Sequence, residues 1–211
     1  MKRRMSKVAI INYGMGNLDS VARAIQECGG NIEITSSADN VKSATHIILP
    51  GVGSFRKGME NLKSLQLMDV LKEQIIVKKI PFLGICLGMQ LLATKGQEGG
   101  ETEGLGLLEG EVKMLECVSE ERLPHMGWNE VDYEKESSLF FSIPSHRDFY
   151  FCHSYHFVPA DDSHVIARTS YCQNFVSAVQ KRNLFGVQFH PEKSQAMGFQ
   201  ILKNFLAFSH A

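Results

Sequence analysis

The chain has 211 residues, 44% of them hydrophobic, with 22 lysines and arginines against 23 aspartates and glutamates and a formal net charge of −1. That balance excludes a whole-molecule attraction to nucleic acid or to acidic membranes, so any partner must be recognised by a local patch. No apolar run reaches the ~18–20 residues of a membrane-spanning helix, and the length suits one domain with a well-buried core. We expect that domain to cover residues 1–211, with residues 1–6 as a flexible leader.

Residues 8–11 (VAII) are a short, fully apolar run, the mark of a strand buried on both faces. A glycine-rich turn, Tyr13-Gly14-Met15-Gly16-Asn17, follows. Leu18, Val21, Ala22, Ile25 and Gln26 then keep helical spacing up to a stop at Gly29-Gly30. Strands are predicted at 32–35 and at 46–49, the second closed by Pro50-Gly51-Val52-Gly53. A helix is predicted over 55–79, broken near Leu65, and a strand over 81–85. This alternation predicts a parallel sheet with helices on both faces.

The second half reads differently. Residues 111–116, 128–133, 149–152, 164–169, 175–180 and 185–189 are strand-like, with short polar turns between them. They predict an antiparallel or mixed extension of the sheet. Residues 97–106 form a polar, glycine-rich surface loop, and 196–208 make a final amphipathic helix. The expected class is α/β: one domain with a central, mostly parallel mixed sheet, flanking helices and an antiparallel extension.

The chemistry centres on Gly84-Ile85-Cys86-Leu87-Gly88, between an apolar strand and a helical pattern. This G-x-C-x-G run is the cysteine form of a nucleophile elbow, a sharp strand-to-helix turn that presents its middle residue. The helix that follows directs N–H groups at the sulfur and favours thiolate, the reactive form. A cysteine nucleophile needs a base and an orienter. Gln188-Phe189-His190-Pro191-Glu192 offers both, because residues i and i+2 of an extended segment face one side. Backbone N–H groups of Val52, Gly53 and Leu87 are candidates for an oxyanion hole, although a glycine-rich run after a strand is as readily a plain turn.

Other motifs carry less. His153 and His156 make one H-x-x-H pair without a third ligand, so no metal is expected. Gly14-x-Gly16 lacks the third glycine and distant acid of a dinucleotide site and has no Walker lysine. No cofactor is expected. The five cysteines are an odd number with no C-x-x-C. Apart from Cys86 they read as reduced, mostly buried thiols of a cytoplasmic protein.

The Gly84–Gln90 run and His190-Pro191-Glu192 together resemble the class I, or triad, glutamine amidotransferases. Ile11 to Asn17, Leu49 to Gly53, Pro124-His125-Met126-Gly127-Trp128-Asn129 and His190 to Ser194 narrow the resemblance. They resemble the glutaminase subunits of imidazole glycerol phosphate synthase, over nearly the whole chain. The resemblance implies a Cys86–His190–Glu192 triad that hydrolyses glutamine to glutamate and ammonia. It implies that Gln90, Glu98, Gly53, Ser154 and Tyr155 hold the glutamine. It also implies a heterodimer with a (β/α)8-barrel cyclase that takes the ammonia to make imidazole glycerol phosphate and aminoimidazole carboxamide ribonucleotide. Asn12, Tyr13, Gly14, Asn17, Met126, Trp128 and Lys193 would face that partner. Trp128 has a second reading as a core residue. Two alternatives stay open: a paralogue feeding ammonia to another acceptor, as in surface-sugar amidination, and a free-standing cysteine hydrolase.

Overall fold

The computed structural model describes residues 6–117, 121–133 and 136–209. Most of the leader expected over 1–6 therefore lies outside the described residues. In chain order, β1 (Lys7–Ile11), α1 (Leu18–Glu27), β2 (Asn31–Thr35), α2 (Ala38–Lys42) and β3 (His46–Gly51) come first. Next are α3 (Phe55–Ser64), α4 (Leu67–Lys72), a π-helical turn (Glu73–Val77), β4 (Phe82–Cys86) and α5 (Leu87–Gln90). The break expected near Leu65 is at Gln66, whose φ of 56° cannot continue a helix.

The rest comprises β5 (Lys95–Gly96), β6 (Thr102–Glu103), β7 (Gly110–Met114), β8 (His125–Val131), β9 (Arg147–His153) and β10 (Tyr155–Pro159). It ends with β11 (Val165–Tyr171), β12 (Gln173–Lys181), β13 (Leu184–Val187) and α6 (Gln195–Ala207). Seven strands form the main sheet in the order β11-β12-β13-β4-β3-β1-β2. From β13 to β2 the pairs are parallel, and β11 and β12 supply the antiparallel extension.

The apolar runs explain this placement. Val8 and Ile10 of β1 pack into one core and Ala9 and Ile11 into the other, so both faces of the sheet are buried. α3 and α4 cover one face through Phe55, Met59, Leu62, Leu67 and Leu71. α1 and α6 cover the other through Val21, Ile25, Ile201, Leu202 and Phe205.

Two expectations are corrected. The strands within 111–116, 128–133 and 149–152 do not extend the main sheet. β7 joins a separate sheet, β10-β7-β5-β6, and β8 forms a ribbon with β9, tied to the main sheet by one antiparallel bridge between Asp132 and Arg168 of β11. Alternation identifies a strand but not its partner, which tertiary packing chooses. The loop expected over 97–106 also contributes β6 to the smaller sheet.

The second correction concerns Cys117 and Cys172, which are joined by a disulfide rather than free. The end of β7 and the β11–β12 turn bring together two residues 55 positions apart, a proximity no local pattern reports. Cys28, Cys86 and Cys152 are free thiols.

Candidate active site

The site lies at the carboxyl ends of β3, β4 and β13, where an open parallel sheet leaves a crevice. Cys86 ends β4 at φ 53° and ψ −110°, a strained conformation that turns the chain directly into α5. The flanking glycines are required by crowding. A Cβ at Gly84 would meet the Gly88 carbonyl, and one at Gly88 would run into the Leu49 carbonyl on β3. α5 is a single turn of four residues, so the helix field expected at the sulfur shrinks to that of one turn.

The Cys86 sulfur is buried and tethered. The side-chain amide of Gln188 donates to it at 3.5 Å, and the thiol faces the Cys152 carbonyl at 3.9 Å. Gln188, completely buried, accepts from Gln90 Nε2 at 3.0 Å, and Gln90 Nε2 also donates to the Tyr155 carbonyl at 2.7 Å.

His190 follows β13, held by its N–H to the Tyr150 carbonyl at 2.8 Å and by Ser194 Oγ donating to its carbonyl at 2.6 Å. Its Nδ1 lies 2.8 Å from Glu192 Oε1, and both side chains are at most 4% exposed. The pairing does not come from strand alternation, as the sequence suggested. Pro191–Lys193 is a 3-10 turn, and that turn swings Glu192 back onto the ring.

Burial alone would lower the His190 pKa. The charge of the nearby Cys86 and the pairing with Glu192 outweigh burial and raise it to about 10. The imidazolium is thus the favoured form of His190 beside the nucleophile. Among the described residues, Nε2 has no hydrogen-bond partner. The coupling to the sulfur is electrostatic at rest, with geometry left to tighten on substrate.

A cleft of about 360 Å³ opens over the sulfur, lined by Val52, Gly53, Cys86, Leu87, Gln90, Glu98, Ser154 and Tyr155 among others. Every residue expected to bind glutamine or its oxyanion therefore shares one cavity. Gly51 lies opposite Cys86 in the β3–β4 register, so residues 51–53 leave the sheet directly beside the nucleophile. Gly53 sits at φ 107°, open to glycine but strained for other residues. One carboxylate oxygen of Glu98 accepts from the Phe55 N–H at 2.8 Å, so this residue also fastens the start of α3.

Of the expected partner-facing residues, Met126 and Trp128 are 61% and 47% exposed, which removes the core reading of Trp128. Asn12, Gly14, Asn17 and Lys193 are exposed as well. Asn17 additionally caps α1, accepting from the Ser20 N–H at 3.3 Å. Lys193 Nζ lies 5.3 Å from the Tyr150 ring, which in turn contacts Trp128.

Tyr13 departs from the expectation. Its side chain is 1% exposed, turned inward beneath Gly51. Burial, and then the charge of Cys86, raise its pKa far above the usual phenol value, and its hydroxyl has no partner among the described residues. Gln188, Cys152, His153 and Pro124 are site residues that the sequence reading did not assign. For Gln188 a signal existed, since it stands two before His190 in an extended run.

A second, small pocket of about 10 Å³ is lined by Gly16, Asn17, Gly51, Val52, His190, Glu192 and Lys193 among others. His190 and Glu192 thus share this pocket with Asn17 and Lys193, while Cys86 lines the larger cleft. Among the described residues no helix is long and apolar enough to cross a membrane. His153 and His156 are engaged separately, with the Tyr155 carbonyl and with Gln173.

Residues 9–208 match the family model for glutamine amidotransferase class-I. The imidazole glycerol phosphate synthase subunit HisH 1 of Campylobacter jejuni strain RM1221 is 46% identical over 199 residues, 94% of this chain and 98% of that protein. The subunit HisH of Moorella thermoacetica is 46% identical over 95% of this chain and 94% of its own length. A crystal structure of a glutamine amidotransferase superposes with a TM-score of 0.74 at 16% identity, covering 94% of this chain and 96% of that one. At that identity the likeness concerns the fold.

Proposed function

The chain belongs to the class I glutamine amidotransferases and, within them, to the HisH subunits of imidazole glycerol phosphate synthase; on that premise we propose that Cys86, His190 and Glu192 are its working triad. The reaction is hydrolysis of glutamine to glutamate and ammonia, in the service of histidine biosynthesis. The Cys86 thiolate adds to the side-chain amide carbon of glutamine. The resulting oxyanion takes hydrogen bonds from the N–H of Leu87 and from the 51–53 segment. The His190 imidazolium gives its Nε2 proton to the leaving nitrogen, which departs as ammonia and leaves a glutamyl thioester on Cys86. Neutral His190 then takes a proton from water as the water attacks the thioester. The sulfur departs as thiolate, so glutamate is released and the ion pair is restored. Glu192 holds the ring and stabilises its charged form.

One observation carries this reading. His190 Nδ1 is paired with a buried carboxylate at 2.8 Å while Nε2 has no partner among the described residues, and its charged form is favoured by Cys86. Gln90, Glu98, Gly53, Ser154 and Tyr155 would hold the substrate in the shared cleft.

The proposed partner is a (β/α)8-barrel cyclase that receives the ammonia on the side where the small pocket of His190, Glu192 and Lys193 lies. It would dock on the face formed by Asn12, Gly14, Asn17, Met126, Trp128 and Lys193, with Tyr13 beneath that face rather than on it. A cytoplasmic location follows from such a role. The test is glutamate release from glutamine by the purified chain, alone and then with a cyclase subunit and its nucleotide ligand. A large rise on mixing supports both parts. No rise, with Cys86 still labelled by a glutamine-like electrophile, keeps the glutaminase and rejects this partner.

A further inference from the structure

Behind the cleft, in the β8–β9 ribbon, His125 and His153 face each other across the register. They form a chain of hydrogen bonds in which every donor is forced. His153 Nδ1 lies 2.9 Å from the Tyr155 carbonyl, an acceptor only, so Nδ1 carries the proton and Nε2 is bare. His125 Nδ1 lies 3.3 Å from that bare Nε2 and must donate to it. The bare Nε2 of His125 accepts in turn from Asn129 Nδ2 at 3.4 Å, and Asn129 Nδ2 also donates to the Ser170 carbonyl at 3.2 Å.

At the other end, the Tyr155 carbonyl takes its second hydrogen bond from Gln90, which leads through Gln188 to the Cys86 sulfur. The path from Asn129 to the nucleophile is therefore unbroken. It works only with both rings neutral, since an imidazolium has no acceptor nitrogen. Burial lowers the His125 pKa to about 4 and the His153 pKa to about 3, so both are neutral at physiological pH.

We propose that His125 is a positioning residue for glutamine hydrolysis: by fixing the tautomer and orientation of His153, it sets the Tyr155 carbonyl and Gln90, the wall against which glutamine is held. His125 does not line the cleft, so it acts entirely through His153. The proposal rests on the glutaminase reading above.

The geometry supplies a clean variant. The His125 ring stacks on Tyr171 at 3.9 Å and on Phe151 at 4.8 Å. His125→Phe keeps that stacking and removes both nitrogens, while His125→Asn restores a donor near the Nδ1 position. The full chain is assayed with its cyclase partner for the KM and kcat of glutamine hydrolysis. Separately, Cys86 is alkylated with a glutamine-derived diazoketone, which needs the glutamine site, and with iodoacetamide, which does not.

His125→Phe should raise KM and slow diazoketone labelling by about tenfold, the worth of one buried hydrogen bond. Iodoacetamide labelling should stay at the wild-type rate, and His125→Asn should recover most of the loss. Wild-type KM in His125→Phe overturns the proposal. So does a parallel fall in iodoacetamide labelling, or an equal defect in both variants, because each would mark general structural damage. If the wild-type chain itself neither hydrolyses glutamine nor reacts with the diazoketone, the glutaminase reading falls first, a result distinct from all of these.

Discussion

Gln188 holds its amide nitrogen 3.5 Å from the sulfur of Cys86 while its carbonyl receives Gln90. One fully buried side chain thus joins the nucleophile to the substrate wall. Gln188→Leu removes the donor to the sulfur and leaves the Gln90 amide one acceptor short. An unsatisfied buried polar group costs about 1–3 kcal/mol. The expected outcome is a fall in kcat/KM of about ten- to a hundredfold, read by steady-state glutamate release, with a lowered melting temperature.

Glu192 helps to set the alkaline limit of activity. Its carboxylate is one of the groups that raise the His190 pKa to about 10, after the contributions of Cys86. Proton donation to the leaving nitrogen needs the imidazolium, so glutamine hydrolysis should fall as pH rises through about 10. Alkylation of Cys86 by iodoacetamide needs only thiolate and should not fall there. Glu192→Gln should move the alkaline limb of the glutaminase profile down by about one pH unit. A limb left in place would show that Glu192 does not stabilise the charged ring.

Gly51 is held bare by Tyr13. A Cβ at Gly51 would collide with the Tyr13 hydroxyl and press on Leu87. Gly51→Ala should destabilise the fold by about 1–3 kcal/mol through overpacking and lower activity, because residues 51–53 would shift beside the nucleophile. Tyr13→Phe removes the colliding oxygen, so the double variant should recover part of the loss. Thermal melts of both singles and the double form a cycle, and strict additivity would refute the contact.

The cysteine pairing is directly countable. Cys28, Cys86 and Cys152 are free, whereas Cys117 and Cys172 are bonded. Titration of the denatured, unreduced protein should give three thiols, rising to the full five after reduction. Five thiols before reduction would remove the disulfide.

Much of the site was legible because its residues cluster in sequence. The elbow is five consecutive residues, and a turn that tight can be built only with glycine at Gly84 and Gly88. His190 and Glu192 are two apart, so any local conformation keeps them close. The parallel half of the sheet was legible for a related reason, since apolar runs such as residues 8–11 must be buried on both faces.

Only the tertiary structure decided the rest. It turned Tyr13 inward under Gly51, paired His125 with His153, joined Cys117 to Cys172, and put β7 and β8 in sheets of their own. Each is a contact between segments far apart in the chain. Periodicity and local propensity act over a turn or a strand, and they are silent about which distant surface a side chain meets. The residues that do the chemistry therefore stand out along the chain, while those that hold them in place emerge only from the folded packing around them.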